Sequence, residues 1–358
     1  MQVEEFDFAI FGSGIDAALL GAELVKRHDC RVLLIRDHVN DYTLDHQQQF
    51  SMSGIADPDT IDQLASGLDN FHLHFGGKTG RACYERTQLA LKISCAERSD
   101  LLHFIEGALI ACDMQSERKA ARNGDEFLLL RDVIAPRRRE ALEYLHHAYV
   151  GVGMEVFDRT DFDQVKRLRD GRLNLKLHDK RMYAAHSVVL DDDLVDQYAD
   201  DEFRQFISPV VGTKMALKTI SKYTKPPAYY VDTGFSLFAT DSASILAFAP
   251  MTYGAFVRNA KSDFVGVEHL DLAAQGAYKA HVTKDGAPIL HFLRETKTWL
   301  FAGGGNVSAF LMPSISDQIC NKSSPQDNKY WANRGTKSRK CADIKLMPPS
   351  KGDNNAAL

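Results

Sequence analysis

The sequence predicts an α/β fold: a Rossmann-like dinucleotide-binding domain carrying an inserted, mainly antiparallel β substrate domain. Three observations predict it. Near the N-terminus an apolar run at residues 8–11 leads directly into Gly12-Ser13-Gly14-Ile15-Asp16-Ala17, then an amphipathic stretch, then a second apolar run at residues 32–35. Between residues 206 and 258, short β-like runs are separated by Pro, Gly, Asp and Ser. Near residue 300 a third apolar run meets a second glycine turn, Gly303-Gly304-Gly305, with Asn306, Val307 and Ser308 opening another helix.

In the first turn each small residue has a physical task. Gly12 permits the tight turn, Gly14 lets backbone approach a pyrophosphate, and Ala17 lets the helix pack close to its strand. Ser13 lies between the two glycines. The helix N-terminus then offers unpaired N–H groups and a partial positive charge to phosphates. An acidic residue for the ribose hydroxyls should end the second strand, but Arg36 stands there and Asp37 follows. Arg36 would suit an extra phosphate, as in NADP sites, or would be a solvated strand end with Asp37 reaching the ribose. The slightly long link at residues 26–31 favours Asp37.

The 358 residues suffice for one large or two ordinary domains, and the 44% hydrophobic and 25% charged contents are those of a globular protein. A net charge of −5 leaves no nucleic-acid footprint, and no apolar run approaches membrane-spanning length. The first strand begins at Phe6, which leaves no room for a secretory leader, and the cysteines are scattered without a C-x-x-C. Both features point to reduced thiols and a cytoplasmic location.

Residues 38–75 form a looser polar stretch with short helical hints at 59–68. His72 and His74 in FHLHF are read as strand-face histidines, since no acidic or cysteine cluster completes a metal site; no metal is expected. Gly76 to Gly80 lacks the full phosphate-loop spacing and reads as a loop. Residues 101–110 are helix-like or strand-like, 126–130 a short strand, and Pro136 the opening of a helix with Ala141, Leu142, Leu145, Ala148 and Tyr149 on one face. A strand at 154–157, a hairpin turning at Asp170-Gly171 and a buried strand at 187–190 follow. Asp191, Asp192 and Asp193 end that strand. The domain division is therefore 1–205 with 270–320 for the cofactor, 206–269 for the insert, and 321–358 as a tail. That tail holds eight Lys/Arg against three Asp, and reads as flexible or as docking on a protein partner.

Taken together, the two glycine motifs resemble the FAD-dependent amine oxidases of the D-amino-acid oxidase type, which include glycine oxidase and sarcosine oxidase. The resemblance covers most of residues 6–316. It is most specific at GSGIDA and at DGAPILHF…WLFAGGGNVSAFLMPSI, which is similar to the family's D-G-x-P-I-I-G followed by a glycine turn. It implies FAD as cofactor, with Gly303 to Ser308 bordering the flavin and the backbone of Val165 meeting the adenine. It also implies a small Ala-x-Gly where this chain has Asp191 to Asp193, and a substrate-carboxylate Arg just upstream of D-G-x-P, where this chain has Tyr278-Lys279-Ala280-His281. Lys279, His281 and the more distant Arg258 are the candidates for that role. Arg258 is a fixed planar donor, and Tyr253 is an aromatic candidate for the same pocket. His281 is a strand histidine, a proton-transfer group, or a covalent flavin link.

Three functions follow. The first is an FAD enzyme oxidising a C–N bond of an amine or amino-acid-like small molecule by hydride transfer to flavin. The second is a non-catalytic or complex-dependent flavoprotein-like subunit. The third is an NAD(P)-dependent dehydrogenase, against which the closing glycine turn argues.

Overall fold

Strand β1 (Gln2–Phe11) divides its side chains between two cores: Phe8 and Ile10 enter one, Phe6 and Phe11 the other. Strand β2 (Val32–Arg36) does the same, with Val32 and Leu34 opposite Leu33 and Ile35. Burial on both faces is why both runs are continuously apolar, as in a covered parallel sheet. The computed structural model describes residues 2–37, 58–93, 100–111, 115–120, 126–190, 192–220, 225–231, 233–239, 244–249, 270–283 and 287–336.

Two sheets organise these residues. The first adds β6 (Met154–Asp158), β7 (Gln164–Arg167), β8 (Leu173–Leu177), β9 (Lys180–Val189), β15 (Ile289–Leu293) and β16 (Thr298–Ala302). Its order is β15–β16–β9–β1–β2–β6, parallel throughout except for β15, with the β7–β8 hairpin docked antiparallel on the first half of β9. The second sheet holds β3 (Tyr84–Lys92), β4 (Ser116–Ala120), β5 (Glu126–Pro136), β10 (Ile207–Lys218), β11 (Ala228–Tyr230), β12 (Phe235–Ala239), β13 (Ser244–Ala249) and β14 (Asp271–Thr283). Its order is β14–β10–β13–β12–β11–β3–β5–β4, and only the β11–β3 pair is parallel. Segment 206–269 thus supplies only part of this sheet: strands from 84–136 and 271–283 complete it.

Helices α1 (Ile15–His28), α2 (Pro58–His74), α5 (Arg138–Tyr149), α8 (Ser308–Ile319) and α9 (Pro325–Thr336) share one core with Phe8, Ile10, Val32 and Leu34. Helices α6 (Asp192–Tyr198) and α7 (Asp201–Arg204) close the opposite core with Leu194, Val195 and Phe203. The remaining helices are α3 (Gly77–Arg81) and α4 (Asp100–Ala111). Residues 101–110 therefore settle as helix. Helix α8 is buried along its first nine residues and is crossed closely by α2: a Cβ on Gly67 would lie 1.8 Å from the Phe310 carbonyl oxygen. No helix among the described residues is long and apolar enough to cross a membrane.

Several local expectations are corrected. The hints at 59–68 belong to a helix reaching His74, so His72 and His74 lie in the last turn of α2 and not on a strand. Burial of Leu64 and Phe71 in the main core, a separation of two turns, supplies the helical stripe. Gly76 to Gly80 is mostly the short helix α3, where Gly77 at φ 71° makes the entry. Pro136 ends β5 opposite Tyr84, and α5 begins two residues later, because the Arg137 N–H is spent on the Cys83 carbonyl at 2.7 Å.

The tail at 321–358 is corrected over residues 325–336. Helix α9 buries Tyr330 and Trp331 in the main core. Trp331 Nε1 donates to Ser314 Oγ at 2.9 Å, Thr60 Oγ1 pairs with the Tyr330 hydroxyl at 2.7 Å, and Gln63 Nε2 donates to Asp327 at 2.7 Å. Buried Arg334 donates to the Pro288 and Ala287 carbonyls at 2.9 and 2.6 Å. Residues 337–358 lie outside the described residues.

Candidate functional site

Strands β1, β9 and β16 are mutually parallel, so their carboxyl ends share one edge of the first sheet. Both glycine turns open there, since Phe11 precedes Gly12 and Ala302 precedes Gly303. That edge is where open α/β sheets bind ligands.

At the first turn, Gly12 is enclosed: an added Cβ would stand 2.8 Å from the Ala17 Cβ and 3.4 Å from the Leu190 Cβ. The small residues at positions 12 and 17 are therefore one close contact. Gly14 is the N-cap of α1 in extended conformation, with no side-chain cap. Ser13 Oγ donates to the Asp37 carbonyl at 3.0 Å and accepts from the Asp37 N–H at 2.8 Å, which fastens the turn to the end of β2. The Asp37 carboxylate lies 3.6 Å from Arg159. Arg36 faces Asp158 across the β2–β6 pair and places Nε and Nη2 at 3.2 and 2.9 Å from one carboxylate oxygen. This pairing favours the solvated strand-end reading of Arg36 over the phosphate reading.

At the second turn, Gly303 has φ 75° and a Cβ there would sit 2.6 Å from Thr283 Cγ2. Gly304 is packed against the Phe301 ring, whereas Gly305, at φ 51°, is exposed with nothing within 4 Å of an added Cβ. Asn306 is half-buried, and Val307 and Ser308 are buried. Val307 caps α8 without a side-chain hydrogen bond. Thr283 Oγ1 is buried beside this turn and makes no hydrogen bond among the described residues.

The two turns meet through Asp16. Its Oδ2 accepts from Ser308 Oγ at 3.0 Å, and its Oδ1 accepts from the Ala17 N–H at 2.8 Å. Two helix N-termini without side-chain caps thus converge on one place. Each helix start carries the positive partial charge of its aligned peptide dipoles. Asp16 and Thr283 were not singled out in the sequence. The fingerprint leaves position 16 unspecified, and Thr283 is brought to Gly303 only by the return of β14.

Lys279 and His281 lie on β14, as does Thr283, and the alternation of a strand puts all three on one face. Lys279 and His281 converge on Asp196 of α6: His281 Nε2 lies 2.7 Å from one oxygen and Lys279 Nζ bonds the other. Burial alone would raise the Asp196 carboxyl, but the hydrogen bonds from Lys279 and His281 outweigh it and hold the group below its usual range. The structure gives both candidates a carboxylate partner where α6 meets the second sheet. Val165 pairs with Leu175 in the β7–β8 hairpin and is 39% exposed. Tyr253, Arg258 and Asp191 lie outside the described residues, as do the side chains of Asp192 and Asp193.

His74, moved from strand to helix, has a different role. Its Nε2 lies 2.8 Å from Glu23 and its Nδ1 2.7 Å from the Tyr149 hydroxyl, all within the core behind α1. Burial raises the Tyr149 hydroxyl to about 12, with nearby Glu23 adding to it.

No protein-family model matches the chain, and no curated protein matches it. Among solved structures it resembles L-proline dehydrogenase from P. horikoshii at TM-score 0.68 and 12% identity, covering 92% of this chain and 96% of that one. Glycine oxidase from Geobacillus kaustophilus gives TM-score 0.65 and 15% identity over 90% and 96% of the two chains. Iminodiacetate oxidase from a Chelativorans species gives 0.63 and 15% over 88% and 94%. These likenesses show the fold: a Rossmann-like domain joined to a mainly antiparallel second domain, the architecture expected from the two glycine motifs.

Proposed function

We propose that the protein is an FAD-dependent oxidoreductase acting on a C–N bond of an amine or amino-acid-like small molecule. The observation that carries this reading is the meeting of the two glycine turns through Asp16 and Ser308. A nicotinamide site needs only the first turn; the second suits a ring system reached by a long dinucleotide. Glycine oxidase, iminodiacetate oxidase and L-proline dehydrogenase, whose names carry amino-acid-like substrates, share the fold.

The residues fit the group. Gly12, Ser13, Gly14 and Ala17 would hold the diphosphate at α1, Asp37 would face the ribose, and the backbone of Val165 the adenine. Residues Gly303, Gly304, Gly305, Asn306, Val307 and Ser308 would border the ring, with Thr283 Oγ1 offering an unsatisfied hydroxyl beside it. When bound, FAD supplies the two-electron acceptor for a hydride from the substrate carbon. The positive end of α8 would favour negative charge there. On the substrate side, Arg258 would hold an anionic group and Tyr253 would wall the pocket. His281, oriented by Asp196, would hold or move a proton, and Lys279 would balance the local charge.

The second reading, a flavoprotein-like subunit without catalysis, rests on one feature: the Asp16 carboxylate sits in the first turn of α1, where a diphosphate would approach. A visible spectrum of the purified protein, followed by denaturation and analysis of released and covalent flavin, separates the readings. Flavin in the released fraction or on the chain is expected. Its absence, with good NADH binding instead, would overturn the FAD assignment.

A further inference from the structure

Helices α1 and α8 touch at both ends. Their N-termini meet through Asp16 and Ser308, and their C-termini through a clamp on Asp317. Arg27, held by Glu23 at 3.3 Å, lies 2.8 Å from Asp317 Oδ2 and donates to the Pro313 carbonyl at 3.5 Å. His28 Nε2 is 3.1 Å from Asp317 Oδ1. The helices therefore run parallel, about 20 Å each at the usual rise per residue. Just past the clamp, α1 gives way to Asp29 and Cys30, and α8 to Cys320 and Asn321; Asp29 and Asn321 both take φ 54°. These matching reversals, just beyond the Asp317 clamp, bring the two cysteines to the same end of the helix pair. Cys30 Sγ donates to the His28 carbonyl at 3.6 Å, each thiol perturbs the ionisation of the other, both are half-buried, and both are free thiols.

We propose that Cys30 and Cys320 are a dithiol modification site, which glutathione disulfide closes to a disulfide joining the C-terminal ends of α1 and α8. The proposal is independent of the flavin reading. It concerns the two helices whose other ends form the glycine cradle, so closing the bond fixes their spacing.

The environment sets the order of events. The neighbouring Cys320 thiol lowers the Cys30 thiol, against burial and the charges of Asp7 and Asp29, while Lys322 helps. The Cys30 thiol, with burial, raises Cys320 in turn. Cys30 is therefore the attacking thiolate. It attacks one sulfur of glutathione disulfide, forming a mixed disulfide and expelling one glutathione thiolate. Cys320 then loses its proton to solvent and attacks Cys30 Sγ, expelling the second glutathione. Two protein thiols are oxidised by two electrons, and one glutathione disulfide becomes two glutathione thiols.

The test uses the full chain. The protein is incubated with glutathione disulfide, blocked with N-ethylmaleimide, digested without reductant and mapped by mass. A peptide pair joined through Cys30 and Cys320, lighter by two hydrogens than the free pair and reopened by dithiothreitol, is expected. In Cys320→Ser the expected product is a lasting glutathione adduct on Cys30. Alkylation of both thiols in the wild type, bonds made instead by Cys83, Cys95, Cys112 or Cys341, or an unmodified Cys30 in Cys320→Ser would each overturn the proposal.

Discussion

Gly303 and Gly305 both have positive φ, but their surroundings differ, and the difference predicts two outcomes. Gly303→Ala meets backbone strain and a Cβ at 2.6 Å from Thr283 Cγ2. A loss of about 1–3 kcal/mol is expected, with reduced flavin content, measured by urea denaturation and flavin stoichiometry. Gly305→Ala meets strain alone, about 1 kcal/mol, since no atom lies within 4 Å. Equal losses in the two variants would show that Thr283 does not confine the turn. Asp16 gives a prediction of opposite sign. Asp16→Asn keeps an acceptor for the Ala17 N–H and removes a negative charge from the first turn of α1. FAD should bind more tightly, by on the order of 1 kcal/mol, in a fluorescence titration. An unchanged affinity would place the diphosphate elsewhere.

Among the elements, α9 differs most from its sequence reading. Polar composition and a run of Lys and Arg concealed a helix whose buried anchors, among the described residues, are Tyr330, Trp331 and Arg334. Tyr330 and Trp331 are adjacent and Arg334 follows one turn later, too few to give a periodic stripe, yet each finds a partner in α2, α8 or the chain leading into β15. Trp331→Ala should cost about 3–5 kcal/mol, the usual range for removing a buried tryptophan. Thermal melting or denaturant titration reads this directly. Ending the chain at Asn321 should give protein of low solubility, because it would expose the surfaces of α2 and α8 that α9 covers. A truncated protein that melts like the full chain would show α9 to be dispensable. The hairpin β7–β8 and strands β10 to β13, by contrast, lie close to where the sequence reading placed them: alternating Leu173, Leu175 and Leu177 mark β8, and Pro, Gly, Asp and Ser bound the runs of β10 to β13.

For the whole molecule, several histidines are buried against protonation. Burial lowers His28, His146 and His186: at His28 it outweighs the opposing Asp317 carboxylate, with Lys322 and Arg27 assisting, and Arg36 at His146 and Lys297 at His186 add to it, the latter against Asp7. In the unfolded chain these groups take up protons as the pH falls through 6.5, while the folded chain resists. The unfolded state then binds more protons, so this stability is present above that pH and is lost below it, until the folded values are reached. The urea midpoint should therefore fall between about pH 7.5 and about pH 5.5. His146→Leu, which removes one such group, should flatten part of the slope. A midpoint that rises on acidification would contradict the assignment.

The sequence by itself determined the two glycine turns, the strands that feed them, the mainly antiparallel character of the second sheet and hence the fold class. These features are written in short-range patterns: an apolar run, a turn that admits no Cβ, a period of two. Only the tertiary structure decided which segments join the second sheet, because β3, β5 and β14 pair with strands far away in sequence. It also decided the partners of the candidate residues: Arg36 with Asp158, Lys279 and His281 with Asp196, Asp16 with Ser308. A side chain's charge is legible in one dimension, but the charge that answers it is set by how strands and helices far apart in the chain pack together, and no local pattern encodes that.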